Sequence, residues 1–371
     1  MKAHALFFSL LASATLFAQE HSHKSLGELT YPDVPGYVTL KTDFHQHTVF
    51  SDGNVWPTIR IMEALRDNLD AVSLTEHLEY QPHSADIPHP DRNRAYEIAL
   101  QEAKDHDLMV IAGSEITRDA PMGHSNAIFI SDANKLLVDK AEDAFAAAKK
   151  QGAFVFWNHP AWHPQNPTGN PKLSDFQKNR IKNGELHGIE VINDRDYAEE
   201  SLAMALENNL TIMGTSDIHG LVDWRFKEKG HARPITLVFA KEKTPASLKE
   251  ALFAGRTVAV FNELLVGKEE NLKPLIKSCI EIGKACYINN TSIVKVELKN
   301  NSSSNLLLQN KMPYNFYSNP PLFTLPAQGS VTLQIKTLEQ KEQITLSLEA
   351  VGAYVVPKQH PIIEWELTVE N

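Results

Sequence analysis

The sequence predicts an α/β domain, built as a barrel or an open parallel sheet, followed by a small all-β domain. Three observations support this fold class. Short apolar runs alternate with amphipathic, helix-like stretches between residues 38 and 262. After residue 262 the segments become rich in β-branched residues and alternate apolar with polar positions. Of the 371 residues, 42% are hydrophobic and 22% are charged, which is ordinary for a globular protein and excludes a disordered, fibrous or coiled-coil chain.

The net charge narrows the range of partners. The chain carries 36 lysine and arginine residues against 46 aspartate and glutamate residues, a formal net charge of −10. A long nucleic-acid duplex or an anionic membrane surface requires a positive protein face, so neither is expected as the main partner. A small molecule is expected instead, and a local basic pocket could still hold one phosphate.

The N-terminus has the pattern of a secretory signal peptide, which we place at residues 1–18. A charged start at Lys2 is followed by an apolar run and then by the small residue Ala18, ahead of a polar stretch. The apolar run is shorter than the ~20 residues that a membrane-spanning helix needs. The sequence therefore predicts a secreted or periplasmic protein without a membrane span, in which residues 19–37 form an extension ahead of the first domain.

Residues 38–262 are predicted to form the α/β domain. Eight apolar runs have the length and composition of buried strands, at 38–44, 71–74, 109–112, 127–130, 154–156, 189–192, 212–213 and 235–239. Three stretches between them place apolar residues at helical spacing, at 94–103, 141–149 and 199–206. Strands and helices in alternation favour a parallel sheet.

A charged connector at 263–277 is predicted to link this domain to a β-sandwich at 278–371. Five alternating segments in the second domain predict strands, at 292–298, 306–308, 331–335, 344–348 and 363–369. This domain contains a single histidine, His360, and no cluster of charge. We therefore expect it to pack against the first domain or to mediate contacts in an oligomer.

The two cysteines, Cys279 and Cys286, lie at the start of the predicted β domain. If residues 282–283 form a two-residue hairpin turn, the cysteines face each other across two strands at a distance that can be bridged. Export of the protein would permit such a disulfide. The alternative is two separate, unpaired thiols in strands.

Residues of the types that bind metals recur at the ends of the predicted strands. His45 and His47 end the first strand and share one face of it, because side chains alternate along a strand. Asp52 follows in the loop beyond. Later strand ends carry the same residue types, at His77, Glu115, His159, Asp217 and His219, and His124 stands at the entry to a further apolar run.

These side chains are expected to meet at one edge of the sheet. Barrels and doubly wound sheets place their chemistry at the carboxyl ends of the strands. A single histidine at a strand end is usually structural, but a whole set of such residues at one edge predicts a multinuclear metal site. Mixed imidazole and carboxylate ligands suit Zn, Mn or Fe.

The order of these motifs resembles that of the PHP (polymerase and histidinol phosphatase) superfamily over residues 38–262. The motifs are His-x-His-x4-Asp-Gly, Thr-Glu-His, Gly-Ser-Glu-Ile, Asn-His-Pro and Ser-Asp-Ile-His. The resemblance implies a distorted (β/α)7 barrel with two or three divalent metal ions. It also implies three ligand sets: His45, His47, Glu115 and Asp217 for a first ion; Glu115, His124 and His159 for a second; Asp52, His77 and His219 for a third.

The signal peptide, the barrel and the β-sandwich together resemble the exported PHP phosphodiesterases of the Sb-PDE type. This implies hydrolysis of phosphate esters, with organophosphate diesters as substrates, by attack of a hydroxide that bridges two ions. Asp217 lies at the reaction centre, and the acid for the leaving group is His219, His231 or a metal-bound water. Arg225 and Arg233 are candidates for binding the phosphate oxygens, because arginine makes charge-assisted and often bidentate hydrogen bonds to phosphate.

Three other functions compete with this one. A phosphomonoesterase of the PHP type would use the same site. An amidohydrolase also begins with His-x-His and ends with an aspartate at a strand end, but it usually places a metal-bridging lysine where this chain has Glu115. A non-catalytic metal-binding or glycan-binding protein is the third. The chain lacks the Gly-x-Ser-x-Gly and Gly-x4-Gly-Lys-Ser/Thr patterns of serine hydrolases and nucleoside triphosphatases.

Overall fold

The computed structural model describes residues 28–370. The predicted signal peptide and residues 19–27 lie outside the described residues. Within residues 28–370, no helix combines the length and the apolar composition that crossing a membrane requires.

Among the described residues, strands and helices alternate through the first domain, and strands alone make up the second. The strands of the first domain are β1 Val38–Asp43, β2 Ala71–Val72, β3 Met109–Val110, β4 Gly113–Ile116, β5 Ser125–Ile128, β6 Phe154–Trp157, β7 Gly188–Asn193, β8 Asp196–Tyr197, β9 Thr211–Thr215, β10 Ile235–Ala240, β11 Thr257–Phe261 and β12 Leu264–Gly267. The helices are α1 Pro57–Arg66, α2 Arg94–Ala103, α3 Ala141–Lys150, α4 Asp175–Lys182, α5 Glu199–Glu207, α6 Val222–Arg225, α7 Pro245–Phe253 and α8 Glu269–Cys279, with 3-10 turns at Ala133–Leu136 and Lys227–Lys229. The strands of the second domain are β13 Ile280–Ile282, β14 Ala285–Tyr287, β15 Ile293–Asn300, β16 Leu306–Asn310, β17 Asn315–Phe316, β18 Leu322–Leu325, β19 Ser330–Lys336, β20 Gln343–Ala350, β21 Ala353–Tyr354 and β22 Ile362–Glu370.

The first domain is a distorted α/β barrel made of two sheets, which confirms the predicted fold class. One sheet has the order β12-β11-β10-β1-β2-β3, and the other has the order β4-β5-β6-β7 with β9 also paired to β7. The sheets are mixed rather than purely parallel, because β10 runs antiparallel to β1 and β5 runs antiparallel to both β4 and β6. The strand order still brings the carboxyl ends of β1, β2, β4, β6 and β9 to one edge.

Side chains rather than a ladder of backbone bonds join β9 to the other sheet. The Thr236 hydroxyl accepts from the amide of Gly214 (2.9 Å) and donates to its carbonyl (2.7 Å). The Thr257 hydroxyl donates to the carbonyl of Ile212 at 2.7 Å. A Cβ on Gly214 would stand 2.8 Å from both the Ala259 Cβ and the Ile235 carbonyl oxygen, so only glycine allows β9 to come this close.

Buried aromatic side chains fill the interior of the barrel. Phe44, Phe154 and Phe156 are fully buried there among aliphatic residues such as Met213 and Val238. Burying a phenylalanine side chain of this kind stabilises a fold by roughly 1.5–3 kcal/mol. The helices cover the outside through one apolar stripe each; α2, for example, buries Ala95, Ala99 and Ala103 at helical spacing and packs on α1.

The second domain is the predicted β-sandwich. Its strands have the order β17-β19-β15-β14-β22-β20-β16-β18, and β13 also pairs with β15. Alternate residues of β15 and β22 are buried, which is the pattern of strands with one face against a core. All five strands predicted here from alternation are present as β15, β16, β19, β20 and β22.

The segment predicted as a linker is ordered and belongs to both domains. β12 pairs antiparallel with β11 and so extends the barrel sheet beyond residue 262. α8 follows and buries Leu272, Leu275 and Ile276, an apolar stripe that the charged first turn of the helix conceals in the sequence. β21 of the second domain pairs in parallel with β12, through Leu265 with Ala353 and Val266 with Tyr354. The two domains therefore share one continuous sheet.

The alternative of two separate, unpaired thiols holds, because the hairpin considered between the cysteines does not form. β13 and β14 both pair with β15, at its two ends, and not with each other. Cys279 is the last residue of α8 and Cys286 lies in β14, and both thiols are free. Burial raises the pKa of the Cys279 thiol to about 12, so it is protonated at neutral pH.

Candidate metal centre

All nine side chains that the sequence singles out as metal ligands lie at one edge of the barrel. His45 and His47 directly follow β1, and the others lie at or just beyond the ends of β2, β4, β6 and β9. His124 precedes its strand instead. Because β5 runs antiparallel to β4, with Ile116 opposite Ser125, the start of β5 lies beside the end of β4. His124 is thereby brought to the same edge as Glu115.

A tight turn returns Asp52 to the histidines of the first motif. The Gly53 amide donates to the Thr48 carbonyl at 2.9 Å. A Cβ on Gly53 would stand 2.7 Å from the carbonyl oxygen of His47, so this position requires glycine. The Asp-Gly pair noted in the sequence therefore has a steric reason as well as a chemical one.

Four overlapping groups of side chains bring their nitrogen and oxygen atoms within metal-ligand spacing. The groups are His45, His47 and Asp217; His45, Glu115 and His159; His77, Glu115 and His124; and His47, Asp52, His77 and His219. The first matches part of the ligand set implied for a first ion. The others differ in detail from the implied sets, since His124 is grouped with His77 and His47 is shared with the Asp52 group.

Glu115 lies at the centre of these groups. Its Oε1 lies 3.1 Å from His124 Nδ1, 3.5 Å from His45 Nε2 and 3.7 Å from His159 Nε2. Its Oε2 contacts His77 Nδ1. Its two oxygens thus face different sets of histidines, which is the arrangement of a bridging carboxylate.

Two aspartates complete the groups on either side. Asp217 Oδ1 lies 3.2 Å from the Nε2 atoms of both His45 and His47. Asp52 lies 3.1 Å from His219 Nε2, 3.5 Å from His77 Nε2 and 3.7 Å from His47 Nδ1. Asp217 has a left-handed backbone conformation, with φ 48°, and His159 has φ 29°. Such conformations are costly for residues with a side chain and cluster at functional sites.

The site is electrostatically coupled. Burial opposes ionisation of Glu115 and Asp217, yet the histidines around them hold the pKa of both carboxyls well below its usual range. Burial would also lower the pKa of His77, but Glu115 and Asp52 raise it to about 10. His47 is the opposite case, because burial and the neighbouring His219 and His77 lower its pKa to about 3.

The donor atoms fit divalent metal ions. Five buried atoms in the cluster lack a hydrogen-bond partner within the described residues: His45 Nε2, His47 Nε2, His159 Nδ1, Asp52 Oδ1 and Glu115 Oε2. Buried polar atoms are almost always satisfied, so unsatisfied atoms facing one another require a further group. Imidazole nitrogens and carboxylate oxygens together are ligands for Zn, Mn or Fe.

Glu190 is a residue of the site that the sequence analysis missed. It lies in β7, is buried, and accepts from His45 Nδ1 (2.7 Å) and from the amide of His159 (2.6 Å). Thr215 Oγ1 also donates to it, at 2.5 Å. A carboxylate behind a ligating histidine fixes the ring and its tautomer, leaving the other nitrogen free for the metal. A charged residue inside an otherwise apolar strand, Ile189-Glu190-Val191, was the available signal.

Three further buried polar residues support the ligand loops. Asn158 Nδ2 donates to Glu115 Oε1 at 2.7 Å. Glu76 accepts from the amide and hydroxyl of Thr48 and from the hydroxyl of Ser51, which holds the loop between His47 and Asp52. Asp43 accepts from the amide and hydroxyl of Ser216 and so fixes the loop that carries Asp217.

Arg233 does not lie where a substrate phosphate could reach it. Its side chain is fully buried and lies 3.2 Å from Asp43 and 3.0 Å from Asp67. The sequence prediction of a phosphate contact is therefore wrong, because the guanidinium is enclosed and neutralised by carboxylates inside the fold. Arg233 instead pairs with Asp43, the residue that fixes the loop carrying Asp217.

His231 does not lie where a leaving-group acid is needed, so this prediction is also wrong. Its Nδ1 lies 2.9 Å from Asn262 Nδ2, and its ring packs near Phe261, outside the cavity that contains the ligand cluster. Of the two acids proposed among the histidines, only His219 lines that cavity.

The ligand cluster opens into a cavity of about 660 Å³, which we call the metal cavity. Trp162 and Trp224 line it and are 46% and 64% exposed. Arg225 also lines it, but forms a two-point ion pair with Asp194, in which its Nε donates at 2.7 Å. Arg225 is thus at the predicted place, with its charge already partly compensated.

The chain is similar over most of its length to a two-domain protein from Bacteroides vulgatus that contains a predicted PHP-like metal-dependent phosphoesterase. The two are 39% identical, the match covers 92% of this chain and 98% of that one, and the TM-score is 0.85. Residues 280–366 match a sequence family described as an Ig-like domain. No curated protein matches the chain.

Two other solved structures are more distant. A candidate metal-dependent phosphoesterase from Bifidobacterium adolescentis is 18% identical over 48% of this chain and 88% of its own, with a TM-score of 0.39. An amidohydrolase from Chromobacterium violaceum is 14% identical over 48% of this chain and 87% of its own, with a TM-score of 0.36. Neither likeness is strong enough to bear on function.

A distorted α/β barrel with histidine, aspartate and glutamate side chains gathered at the strand ends is the architecture of a metal-dependent hydrolase. The identity with the Bacteroides vulgatus protein extends across both domains. The chain therefore belongs to the PHP-like metal-dependent phosphoesterase family, in a two-domain form with a C-terminal Ig-like domain.

Proposed function

We propose that the protein is an exported phosphodiesterase that hydrolyses organophosphate diesters. The observation that carries this proposal is the metal cavity, which combines the ligand cluster with two exposed indole rings and little free positive charge. Export rests on the signal-peptide pattern of residues 1–18.

The charge of the cavity favours a diester over a monoester. Among the described residues that line it, Arg225 and Lys229 are the only arginine or lysine side chains, and Arg225 is already paired with Asp194. Asp196 adds a further negative charge to the wall. A phosphomonoester is mostly a dianion at neutral pH, whereas a diester is a monoanion, so a diester needs less compensation from the protein.

The exposed indoles suit a substrate with two organic groups. A monoester has one substituent, whereas a diester has two that must be placed on either side of the phosphorus. Trp162 packs against the rings of His159 and His124, with centroids 5.1 and 5.7 Å apart, and so stands directly beside the ligand cluster. Trp224 provides a second apolar surface in the same cavity.

The side chains of the cluster hold the reacting groups in place. When bound, divalent ions supply a hydroxide nucleophile at neutral pH and neutralise charge on the phosphoryl oxygens. The contribution of the chain is a rigid set of donors: Glu190 orients His45, Asn158 orients Glu115, and the Asp43–Ser216 bonds fix the loop of Asp217.

His219 is our candidate for protonating the leaving group when the Asp52 group holds no ion. It is the most exposed of the nine ligand candidates, and its Nδ1 donates to the Asp217 carbonyl at 2.9 Å. Its Nε2 therefore faces Asp52 and the cavity. The substitution His219→Gln should slow hydrolysis of an alkyl ester more than that of a p-nitrophenyl ester, which leaves without a proton. Equal losses with both leaving groups would contradict this role.

The proposal is tested by measuring hydrolysis of a p-nitrophenyl phosphodiester beside the matching monoester. The protein from residue 19 onward is loaded with Mn or Zn and compared with a chelator-stripped sample. We expect metal-dependent activity with a preference for the diester. Glu115→Gln should abolish it, whereas Glu142→Gln, the same change on the exposed surface of α3, should not.

Each other outcome identifies a different function. A preference for the monoester would make the protein a phosphatase. Full activity after removal of the metal would refute the proposed chemistry. Tight metal binding without activity on either ester would favour a non-catalytic metal protein.

A further inference from the structure

A second cavity, of about 450 Å³, is lined by residues of the two loops that carry His124 and His159. We call it the loop cavity and define it by Pro121, Gly123, Trp157, Pro160, Gln165 and Asn170. Its volume falls in the range of about 300–1,000 Å³ that is usual for small-molecule sites. None of the residues assigned to the metal centre lines it.

The loop cavity is adjacent to the metal centre along the chain. Gly123 immediately precedes His124, and Pro160 immediately follows His159. The side chains of His124 and His159 therefore line the metal cavity, while their neighbours Gly123 and Pro160 line the loop cavity. A group bound in the loop cavity would lie beside the reaction centre.

A buried donor without a partner points into the loop cavity. Trp157 is only 6% exposed, and its Nε1 has no hydrogen-bond partner among the described residues. A Cβ on Gly123 would stand 2.9 Å from this nitrogen and 3.0 Å from Gln165 Oε1. Because Gly123 has no side chain, a space stays open beside it, and both the Trp157 N–H donor and the Gln165 Oε1 acceptor face that space.

The chemistry of this space is that of a hydroxyl group. A hydroxyl can accept from the indole N–H and donate to the amide oxygen at the same time, which neither a carboxylate nor an alkyl group can do. The rest of the lining offers amides and hydroxyls, at Asn166, Thr168 and Ser174, together with proline rings. Within the part of the chain that the structure describes, Lys172 is the only charged residue of the lining. The ligand that fits is neutral and carries several hydroxyls.

We propose that the loop cavity binds a sugar or other polyol group of the substrate, with Trp157 Nε1 donating to one of its hydroxyls and Gln165 Oε1 accepting from it. The sugar or polyol would be one of the two ester groups of the phosphodiester. The expected effect of the loop cavity on hydrolysis therefore rests on the proposed function, whereas binding of the sugar does not. Such a site narrows the substrate class from organophosphate diesters in general to glycosyl or polyol phosphodiesters.

The kinetic test compares two diesters of p-nitrophenyl phosphate, one with glucose through its 6-oxygen and one with ethanol. The wild-type, metal-loaded protein should have the higher kcat/KM on the glucose diester. Trp157→Phe keeps an aromatic ring and removes only the N–H, so it should lower kcat/KM on the glucose diester by roughly threefold to tenfold and change the ethyl diester less than about twofold.

Trp365→Phe is the matched control, because Trp365 is buried in the β-sandwich, far along the chain from either cavity. This substitution should leave kcat/KM unchanged on both diesters. Equal loss on both diesters in Trp157→Phe would mean that the residue only supports the fold near His159. No loss on either, with an active wild type, would overturn the polyol site while leaving the phosphodiesterase proposal intact.

A binding measurement keeps the inference testable if neither diester is hydrolysed. That result would count against the proposed function alone. Saturation-transfer NMR with methyl α-glucopyranoside should then show contact with the wild type and with Trp365→Phe, and weaker contact with Trp157→Phe. The absence of any transfer to the sugar from the wild-type protein would refute the polyol site.

Discussion

At the scale of single residues, Glu190 contacts two ligand candidates of the centre at once. Its two oxygens accept from His45, Thr215 and the amide of His159, so one carboxylate sets the position of two ligand candidates. A glutamine at this position has one acceptor oxygen and an NH₂ group that would face a donor.

We therefore expect Glu190→Gln to weaken metal binding by about tenfold to a hundredfold, the usual effect of losing an outer partner of a ligating histidine. Competitive titration with a chromophoric chelator measures this affinity. Glu142→Gln serves as the control for the chemical change alone. An unchanged affinity, with a normal thermal unfolding curve, would show that Glu190 does not position His45.

The two arginines predicted to bind phosphate have different roles in the structure. Arg233→Met would leave the buried Asp43 carboxylate without its cationic partner and would remove one of the cations beside Asp67, which costs about 3–5 kcal/mol of unfolding free energy. Arg225→Met removes a partly exposed pair at the cavity rim, which is worth about 1 kcal/mol or less. Urea unfolding should separate the two variants in this order.

Their kinetics should show the reverse order. Where both variants are folded, Arg225→Met should raise KM for a diester, and Arg233→Met should leave KM close to the wild-type value. If Arg233→Met were stable and raised KM, the buried ion-pair assignment would be wrong.

At the scale of elements, β9 packs closely against the opposite sheet at Gly214. A methyl group at Gly214 would clash with Ala259 and with the Ile235 carbonyl. Overpacking of this kind typically costs about 1–3 kcal/mol. Gly214→Ala should therefore lower the thermal midpoint by several degrees.

Gly220→Ala is the control for this variant, since nothing lies within 4 Å of the added methyl group. Both proteins are melted at one fixed metal concentration, because bound metal shifts the midpoint. A midpoint for Gly214→Ala equal to that of the control would mean that β9 can move away from β11 without cost.

The elements also show which features of this chain can be predicted from sequence. The ligands at the ends of β1, β6 and β9 were predictable, because residue type and strand position are both local properties. Glu190 was not, because its partner His45 is 145 positions away and the strand around it is apolar. The same limit applies to α8, whose burial depends on contacts from both domains, and to the segment between the cysteines, where β13 and β14 each pair with β15 rather than with each other.

At the scale of the whole molecule, the Ig-like domain completes the barrel sheet. β21 covers the outer edge of β12, and Tyr354 of β21 stacks on Tyr197 of the barrel, with ring centroids 5.5 Å apart. Ser304 donates to the Asn262 carbonyl at 2.7 Å, a further link between the domains.

A chain that ends at Gly267 should therefore fail to behave as an independent domain. It would expose the edge of β12 and the apolar surface that α8 covers, and exposed strand edges promote association between chains. Light scattering after size-exclusion chromatography should show aggregation, whereas the chain from residue 28 to the C-terminus should elute as a single species. A truncated protein that is monodisperse and has the full-length thermal midpoint would contradict a structural role for the second domain.

The β4–β5 hairpin has a consequence for how this family diversifies. Glu115 and His124 lie on its two arms, and the pairing of Ile116 with Ser125 keeps them opposed regardless of what connects them. The connecting residues, among them Pro121, form a wall of the loop cavity. Under the proposed role of the loop cavity, a change in the length or composition of this connection would alter substrate preference while Glu115 and His124 keep their positions.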